Sequence, residues 1–189
     1  MIQFNYSGEN VYIILSQTGT LTSKFLKRIT KEEYNHASIS LDEGLNEMCS
    51  FARYFTYYPF YGGLIKESMK KGVLKHHKNA EGVILKFTTT KDKTLKVKDK
   101  LNEMFKSQKK YKYDIIGVIF ASFGKKKVRK NKFYCTEFCK KLLIESEIIN
   151  AEECPEIMHV TDFLKLSNAE IVYKGNLHEY YNLINKSRV

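Results

Sequence analysis

Apolar positions along the chain follow two different periods, and the change from one to the other marks the predicted elements. Short runs rich in Val, Ile, Phe and Tyr, bounded by Gly, Asn or Asp, are typical of strands. Such runs predict strands at residues 10–17, 35–41, 45–51, 82–90 and 169–175. The second and third of these, joined by a turn at residues 42–44, form a predicted β-hairpin.

Apolar residues that recur at helical spacing predict the other elements. They predict helices over residues 22–30, 92–110 and 136–147, and a short helix at residues 160–166. The apolar run 113–124 fits either a helix or a strand, because periodicity alone does not separate the two. No repeat or proline-rich linker divides the 189 residues, so we expect one domain over residues 1–189. The predicted class is α+β.

Side chains alternate in the predicted hairpin, which places His36 and Ser40 on one face of its first strand. If the loop consists of Glu43 and Gly44 alone, Ser40 lies opposite Glu47. A carboxylate then shares the face of the His36 imidazole. With a three-residue loop the parity changes and Glu47 points away, so the sequence leaves both arrangements open.

Cys135 stands at the start of the helix predicted over residues 136–147. The apolar positions of that helix are Phe138, Cys139, Leu142 and Leu143. Unpaired backbone N–H groups and the macrodipole at a helix amino terminus favour an anion, which makes Cys135 a candidate thiolate nucleophile. A histidine within hydrogen-bond reach would complete an ion pair, and a third polar group would orient its ring. Cys139 lies one turn further, where we expect it to pack as a small apolar residue.

The charge balance limits the partners without choosing one. The chain holds 32 Lys and Arg residues against 21 Asp and Glu residues, which gives a formal net charge of +11. Such an excess suits a nucleic acid, an anionic membrane surface or an anionic substrate. The lysines are spread over several segments rather than one stripe, so solvated faces or an AT-biased genome explain the same excess.

Cysteine use and hydropathy bear on the compartment. The four cysteines, Cys49, Cys135, Cys139 and Cys154, lack the density of a secreted disulfide framework. The amino terminus lacks a basic start followed by a long apolar run, and no stretch approaches the roughly 20 apolar residues that cross a bilayer. We therefore expect a reduced protein in the cytoplasm, without a transmembrane segment.

Two other interpretations compete with the nucleophile. Cys135, Cys139, Cys154 and His159 could ligate a metal, although their spacing matches no common zinc module and no metal is expected. An aromatic run could stack the bases of a nucleic acid beside the basic segments, although no specific nucleic acid is expected as a partner. Its members are Tyr54, Phe55, Tyr57, Tyr58, Phe60 and Tyr61.

The order of these motifs resembles that of a known family. The run LSQTGTLTSKFLKRITKEEYNHASISLDEGLNEMCSFAR, followed far downstream by YDIIG and FYCTEFCKKLL, resembles the permuted branch of the NlpC/P60 cysteine hydrolases, the YiiX-like group of papain-like enzymes. The resemblance extends over residues 10–170, and its most specific pieces are Asn35-His36 and Tyr134-Cys135-Thr136-Glu137. It implies a β-barrel or sheet, placed first in the chain and packed against the helix whose amino end bears the nucleophile.

The resemblance also implies roles for single residues. Cys135 corresponds to the nucleophile, His36 to the general base and Glu47 to the polar group that orients the ring. Tyr113 corresponds to a tyrosine that stabilises the oxyanion. The residues expected to line the cleft are Gln17, Thr18, Gly62 and Gly63.

The reaction that the resemblance implies is thiolate attack on an amide or ester carbonyl through an acyl-enzyme, without a metal or another cofactor. The expected substrate is a small molecule that contains a peptide or acyl group. Relatives that act on lipid acyl chains or transfer acyl groups leave the choice between amide and ester, and between hydrolase and acyltransferase, open.

Overall fold

A six-stranded antiparallel sheet, a short two-stranded parallel sheet and several helices make up the described part of the chain, which confirms the predicted α+β class. The computed structural model describes residues 4, 8–17, 32–55, 58, 60–71 and 73–187. The helix predicted over residues 22–30 and the predicted cleft residue Thr18 lie outside these ranges.

The strands form two sheets. In chain order they are β1 (Asn10–Gln17), β2 (His36–Ser40), β3 (Met48–Arg53), β4 (Gly62–Glu67), β5 (Glu81–Thr88), β6 (Lys112–Tyr113), β7 (Lys132–Phe133) and β8 (Glu170–Asn176). The large sheet has the order β4-β3-β2-β1-β5-β8, and all its neighbouring strands are antiparallel. β6 and β7 form a separate parallel pair. The sequence pattern predicts β1 residue for residue but does not predict β4.

Five α-helices lie in the described ranges: α1 (Val73–His76), α2 (Lys91–Lys106), α3 (Ile115–Ser122), α4 (Cys135–Glu145) and α5 (Leu177–Lys186). Short 3-10 turns occur at Gln108–Lys110, Ala151–Glu153 and Val160–Lys165. The apolar run that fits either a helix or a strand is helical, because Asp114 caps α3 by accepting the Gly117 N–H at 2.8 Å. None of the helices in these ranges is long and apolar enough to cross a membrane.

Side chains of β1 alternate between two apolar clusters. Ile13 and Leu15 belong to the cluster that includes α2 and α4, whereas Tyr12 and Ile14 belong to the cluster that includes α5. β1 is therefore buried on both faces, which explains why its sequence is almost continuously apolar rather than alternating. Burial of each such side chain stabilises the fold by about 1.5–3 kcal/mol.

The connection between β2 and β3 consists of residues 41–47 and is longer than the two-residue loop of the first hairpin arrangement. Leu45 adopts a left-handed backbone with φ of 51°. The strands then align with Ile39 opposite Cys49, one position away from the register that would place Ser40 opposite Glu47. A one-residue shift reverses which face a side chain takes, so Glu47 leaves the face of His36.

Residues 112–133 form a loop whose two ends pair with each other, and this closed loop leads into α4. The β6–β7 pair closes the loop at its base, where the Asp114 N–H also donates to the Phe133 carbonyl at 2.9 Å. Within the same loop, Arg129 Nη1 lies 2.8 Å from Asp114 Oδ1, and the Asp114 side chain is 1% exposed. A buried carboxylate requires such a partner, so this ion pair fixes the base of the closed loop. The fixed base in turn positions the residues directly before Cys135.

Candidate active site

The helix α4 begins at Cys135, with Tyr134 as its extended N-cap residue (φ −108°, ψ 170°). The buried Thr136 donates from Oγ1 to the Met158 carbonyl at 2.7 Å, which fixes the first turn of the helix to a distant segment. Cys135 is half-buried and is not in a disulfide. Its thiol is therefore reachable and close to the positive end of the helix dipole.

His36 connects Cys135 to a carboxylate. The imidazole Nε2 lies 3.0 Å from Glu67 Oε1 and 3.2 Å from Glu67 Oε2. The Cys135 side chain lies close enough to the ring to interact with it and to raise its pKa. Because Nε2 is engaged by Glu67, Nδ1 is the nitrogen left for the sulfur. Ser38 Oγ donates to Glu67 Oε2, so the carboxylate is held by a second donor.

Burial and charge act in opposite directions on this pair. Burial lowers the pKa of His36, but the Glu67 carboxylate and the Cys135 side chain outweigh it, and the pKa lies well above its ordinary 6.5. Burial raises the pKa of Glu67, but His36 and the hydrogen bond from Ser38 hold it below its ordinary 4.5. The two side chains are each 14% exposed, so solvent ions screen their attraction weakly. Each partner thus favours the charged form of the other: Glu67 favours the protonated imidazole, and His36 favours the ionised carboxyl.

Glu67, rather than Glu47, lies beside His36. Glu47 Oε1 instead bonds to Lys66 Nζ at 2.9 Å, and these two side chains are 28% and 32% exposed. The position beside the imidazole that is expected for Glu47 is therefore occupied by Glu67. The sequence signal for Glu67 is weak, because it ends the short run GGLIKE, whose two glycines disfavour a strand.

Tyr113, expected to stabilise the oxyanion, lies close to Cys135. Burial and the charge of Cys135 raise the pKa of the Tyr113 hydroxyl above its ordinary 10, so the hydroxyl remains a donor at neutral pH. Tyr113 and Cys135 line the same pocket. The nearby Gly62 is required for packing, because a Cβ there would lie 2.4 Å from the Ala52 carbonyl oxygen and 2.8 Å from the Tyr113 Cβ.

The other residues expected in the cleft take different positions. Gly63 is buried like Gly62, and a Cβ on it would lie 2.6 Å from Tyr54 Oη. The two glycines therefore let β4 approach the tyrosines instead of lining a cleft. Gln17 is the last residue of β1 and is not among the residues that line the described pocket at Cys135. Thr18 lies outside the described residues.

A narrow pocket of about 70 Å³ opens onto Cys135. Val118 and Ala121 of α3 give part of its wall an apolar character. His159 and Glu32 form another part, with His159 Nδ1 2.8 Å from Glu32 Oε1. This second histidine–glutamate pair near Cys135 is not predicted by the sequence, in which His159 is only an alternative metal ligand.

The remaining cysteines are in less reactive surroundings than Cys135. Cys49 and Cys139 are buried, and burial raises the pKa of both thiols. Burial also raises the pKa of the half-buried Cys154. A high pKa leaves little thiolate at neutral pH. Among the residues that the structure describes, no group of three His, Cys, Asp or Glu side chains could hold a metal ion.

The aromatic run considered for nucleic-acid binding forms an exposed cluster before β4. The Phe55 and Tyr61 rings stack at 6.1 Å with an interplanar angle of 9°, and Phe60 is 78% exposed. Tyr57 lies outside the described residues. The cluster borders an open hollow whose other lining residues are Gln108, Lys109 and Lys112. Exposed rings beside lysines are the ingredients of base stacking, so nucleic-acid binding by this surface stays open.

Comparisons with known proteins supply no relative for this chain: no family model, no curated protein and no solved structure matches it. The assignment of a function therefore depends on the geometry around Cys135 and on the chemistry of its neighbours.

Proposed function

We propose that this chain is a cysteine hydrolase that attacks an amide or ester carbonyl with the thiolate of Cys135 and passes through an acyl-enzyme. The observation that supports it most directly is the position of His36, which interacts with the Cys135 side chain and is hydrogen-bonded to Glu67. A nucleophile, a base and an orienting group within hydrogen-bond reach are what covalent acyl transfer requires. Glu67 takes the orienting role expected of Glu47.

In the acylation step the Cys135 sulfur bonds to the carbonyl carbon, and the carbonyl π electrons move to the oxygen. The His36 imidazolium then gives its proton to the leaving amine or alcohol as the carbon–heteroatom bond breaks. Glu67 favours the protonated ring before this transfer and holds its orientation afterwards. The products of this step are a thioester on Cys135, a neutral His36 and the free amine or alcohol.

In the deacylation step the neutral His36 removes a proton from water, and the oxygen attacks the thioester carbon. Collapse of this second adduct breaks the C–S bond, releases the carboxylic acid and restores the thiolate and the imidazolium. Cys135 and Tyr113 supply the oxyanion donors in both steps. The Cys135 N–H is in the first helical turn, where amides lack intrahelical partners, and the Tyr113 hydroxyl stays protonated.

We also infer that the chain belongs to the permuted NlpC/P60 branch of the papain-like enzymes and forms a single domain. Two features support this inference: the strand with His36 precedes the helix with Cys135, and α4 packs on β2 and β3. The four cysteines of the described residues are free, which suits a reducing compartment such as the cytoplasm.

The proposal is tested by the thiol reactivity of Cys135. Wild-type protein is treated with iodoacetamide at about pH 6, and the adducts are located by peptide mass spectrometry. An ion-paired thiolate reacts under these conditions while ordinary thiols are largely protonated. We expect labelling of Cys135, its loss in Cys135→Ala, and unchanged labelling in the matched control Cys154→Ala. Labelling of Cys135→Ala at the wild-type rate would contradict the assignment.

The reaction class is tested with p-nitroanilide, peptide and acyl-ester substrates. We expect turnover of at least one class and a fall of at least about 10³-fold in Cys135→Ala, since the nucleophile has no substitute. A thioester adduct trapped by acid quenching should carry the acyl mass on Cys135. Turnover that survives in Cys135→Ala would show that a different group performs the reaction.

A further inference from the structure

The closed loop of residues 112–133 exposes apolar side chains of a kind that is usually buried. α3 consists of IIGVIFAS, yet Gly117 and Ala121 are its buried residues. Ile119 is 46% exposed, and Phe123, just after the helix, is 68% exposed. Exposed apolar groups of this size in one short segment commonly mark a surface that contacts a partner. We name residues 115–130 the α3 surface.

The same segment is strongly basic. No Asp or Glu occurs between Asp114 and Glu137 in the sequence. The basic residues in the loop after α3 are Lys125, Lys126, Lys127, Arg129, Lys130 and Lys132. Lys126 pairs with Glu156 from outside the segment, and Lys125 and Lys130 are exposed. The α3 surface therefore complements an anionic partner.

The basic loop folds back onto the apolar helix. Lys127 Nζ lies 4.8 Å from the centre of the Phe120 ring, so charge and apolar area belong to one surface. Val128, in the middle of the lysines, is 74% exposed. The buried Asp114–Arg129 ion pair joins the start of α3 to the basic loop and so fixes their arrangement. The combination of basic and apolar side chains on one surface is consequently a property of the folded chain.

We propose that the α3 surface docks onto an anionic lipid bilayer. Lysines are attracted by the negative potential of the lipid head groups, while Ile119, Phe123 and Val128 enter the boundary between head groups and acyl chains. Phe120 and Phe123 carry rings on which bases could stack. A nucleic acid nevertheless suits this surface less well, because Ile119 and Val128 add exposed aliphatic area that stacking does not use.

Docking in this way places the pocket of Cys135 next to the membrane. Val118, Ala121 and Ser122 of α3 line that pocket, so the helix that contacts the bilayer also forms a wall of the site. A substrate held in the membrane would reach Cys135 without crossing open solvent. The docking itself does not depend on the proposed hydrolysis, and Cys135→Ala is expected to bind vesicles as the wild type does.

The chain contains no tryptophan, so a single introduced one reports on its own position. The test compares Phe123→Trp with two controls, Leu183→Trp on α5 and Phe60→Trp in the aromatic cluster, at sites that are 66% and 78% exposed. Each protein is mixed with phosphatidylcholine vesicles, with or without phosphatidylserine, that contain brominated acyl chains. We expect a blue shift and quenching for Phe123→Trp alone, and only with the anionic vesicles.

Three results would overturn the proposal. The first is an unchanged Phe123→Trp spectrum while the protein sediments with anionic vesicles, since another surface would then make the contact. The second is equal or stronger quenching in Leu183→Trp or Phe60→Trp. The third is a spectral change of Phe123→Trp with single-stranded oligonucleotides but not with vesicles, which would assign the surface to nucleic acid.

The charge contribution is separated by two triple variants that lose equal charge. Lys125→Ser/Lys127→Ser/Lys130→Ser removes lysines from the α3 surface, and the control removes the exposed Lys75, Lys78 and Lys109 in the same way. We expect binding to anionic vesicles to weaken at least about tenfold in the first variant and about twofold or less in the second. Equal weakening in both would indicate nonspecific attraction by the net charge and would overturn the proposal.

Discussion

Two histidine–glutamate pairs lie near Cys135, and their short distances do not distinguish them. His36 Nε2 is 3.0 Å from Glu67 Oε1, and His159 Nδ1 is 2.8 Å from Glu32 Oε1. The imidazole of His36 is 14% exposed, whereas that of His159 is 38% exposed. The Cys135 side chain also raises the pKa of the first ring.

The two carboxylates respond differently to burial. Burial raises the pKa of Glu67, but its interactions with His36 and Ser38 reverse the shift and bring the pKa below the ordinary 4.5. Burial likewise raises the pKa of Glu32, and there His159 and the backbone N–H groups of residues 160 and 161 do not compensate for it. A short contact is therefore insufficient to define a catalytic pair, because the burial and hydrogen bonds around it decide the direction in which the carboxyl pKa shifts.

The largest expected difference between the pairs comes from replacing each histidine by glutamine. His36→Gln removes the proton carrier of both steps, and we expect kcat/KM to fall at least about 10³-fold. His159→Gln leaves the Cys135–His36 contact in place and should change kcat/KM by about fivefold or less. Steady-state kinetics on a substrate that the wild type turns over measures both, with circular dichroism as the check on folding. A larger loss in His159→Gln would exchange the roles of the two pairs.

A smaller effect is expected from Glu67→Gln, with Glu47→Gln as its matched control. Removal of the Glu67 charge lets burial dominate, so the pKa of His36 falls and the imidazolium is lost at lower pH. We expect kcat/KM to fall by about 10–100-fold and the basic limb of its pH profile to move down by about 1–3 pH units. The exposed Glu47 should give neither change. A basic limb that moves in Glu47→Gln but not in Glu67→Gln would restore the arrangement expected from the sequence.

The sequence predicts the places of Cys135 and His36 in the fold well because their signals are local. The period of the apolar residues after Cys135 defines where α4 begins, and the observed helix starts at that cysteine. His36 starts the observed β2, one residue after the predicted strand begins. In both cases the neighbouring residues alone determine the local backbone.

The third residue could not be predicted in the same way, because its position depends on pairing between distant segments. Gly44 favours a tight two-residue turn, yet the left-handed residue is Leu45, a bulky residue that propensity would not place there. Glu67 reaches His36 only because β4 pairs with β3 along its full length. The glycines at the start of β4, which conceal the strand in the sequence, are the residues that permit its close approach to Tyr113.

The smallest expected difference concerns the pH dependence of stability. The folded pKa of Glu67 is lowered, so its contribution is present above about 4.5 and is lost as the pH falls through the folded value. The folded pKa of Glu32 is raised, so its contribution is present below about 4.5 and is lost as the pH rises through the folded value. Urea unfolding of the wild type, Glu67→Gln and Glu32→Gln between about pH 3 and 7 measures both. As the pH rises, the free energy of unfolding of the wild type relative to Glu67→Gln should increase, and that relative to Glu32→Gln should decrease by about 1 kcal/mol or less. Slopes of the same sign would mean that folding shifts the pKa values of Glu67 and Glu32 in the same direction, and the contrast between the two pairs would then fail.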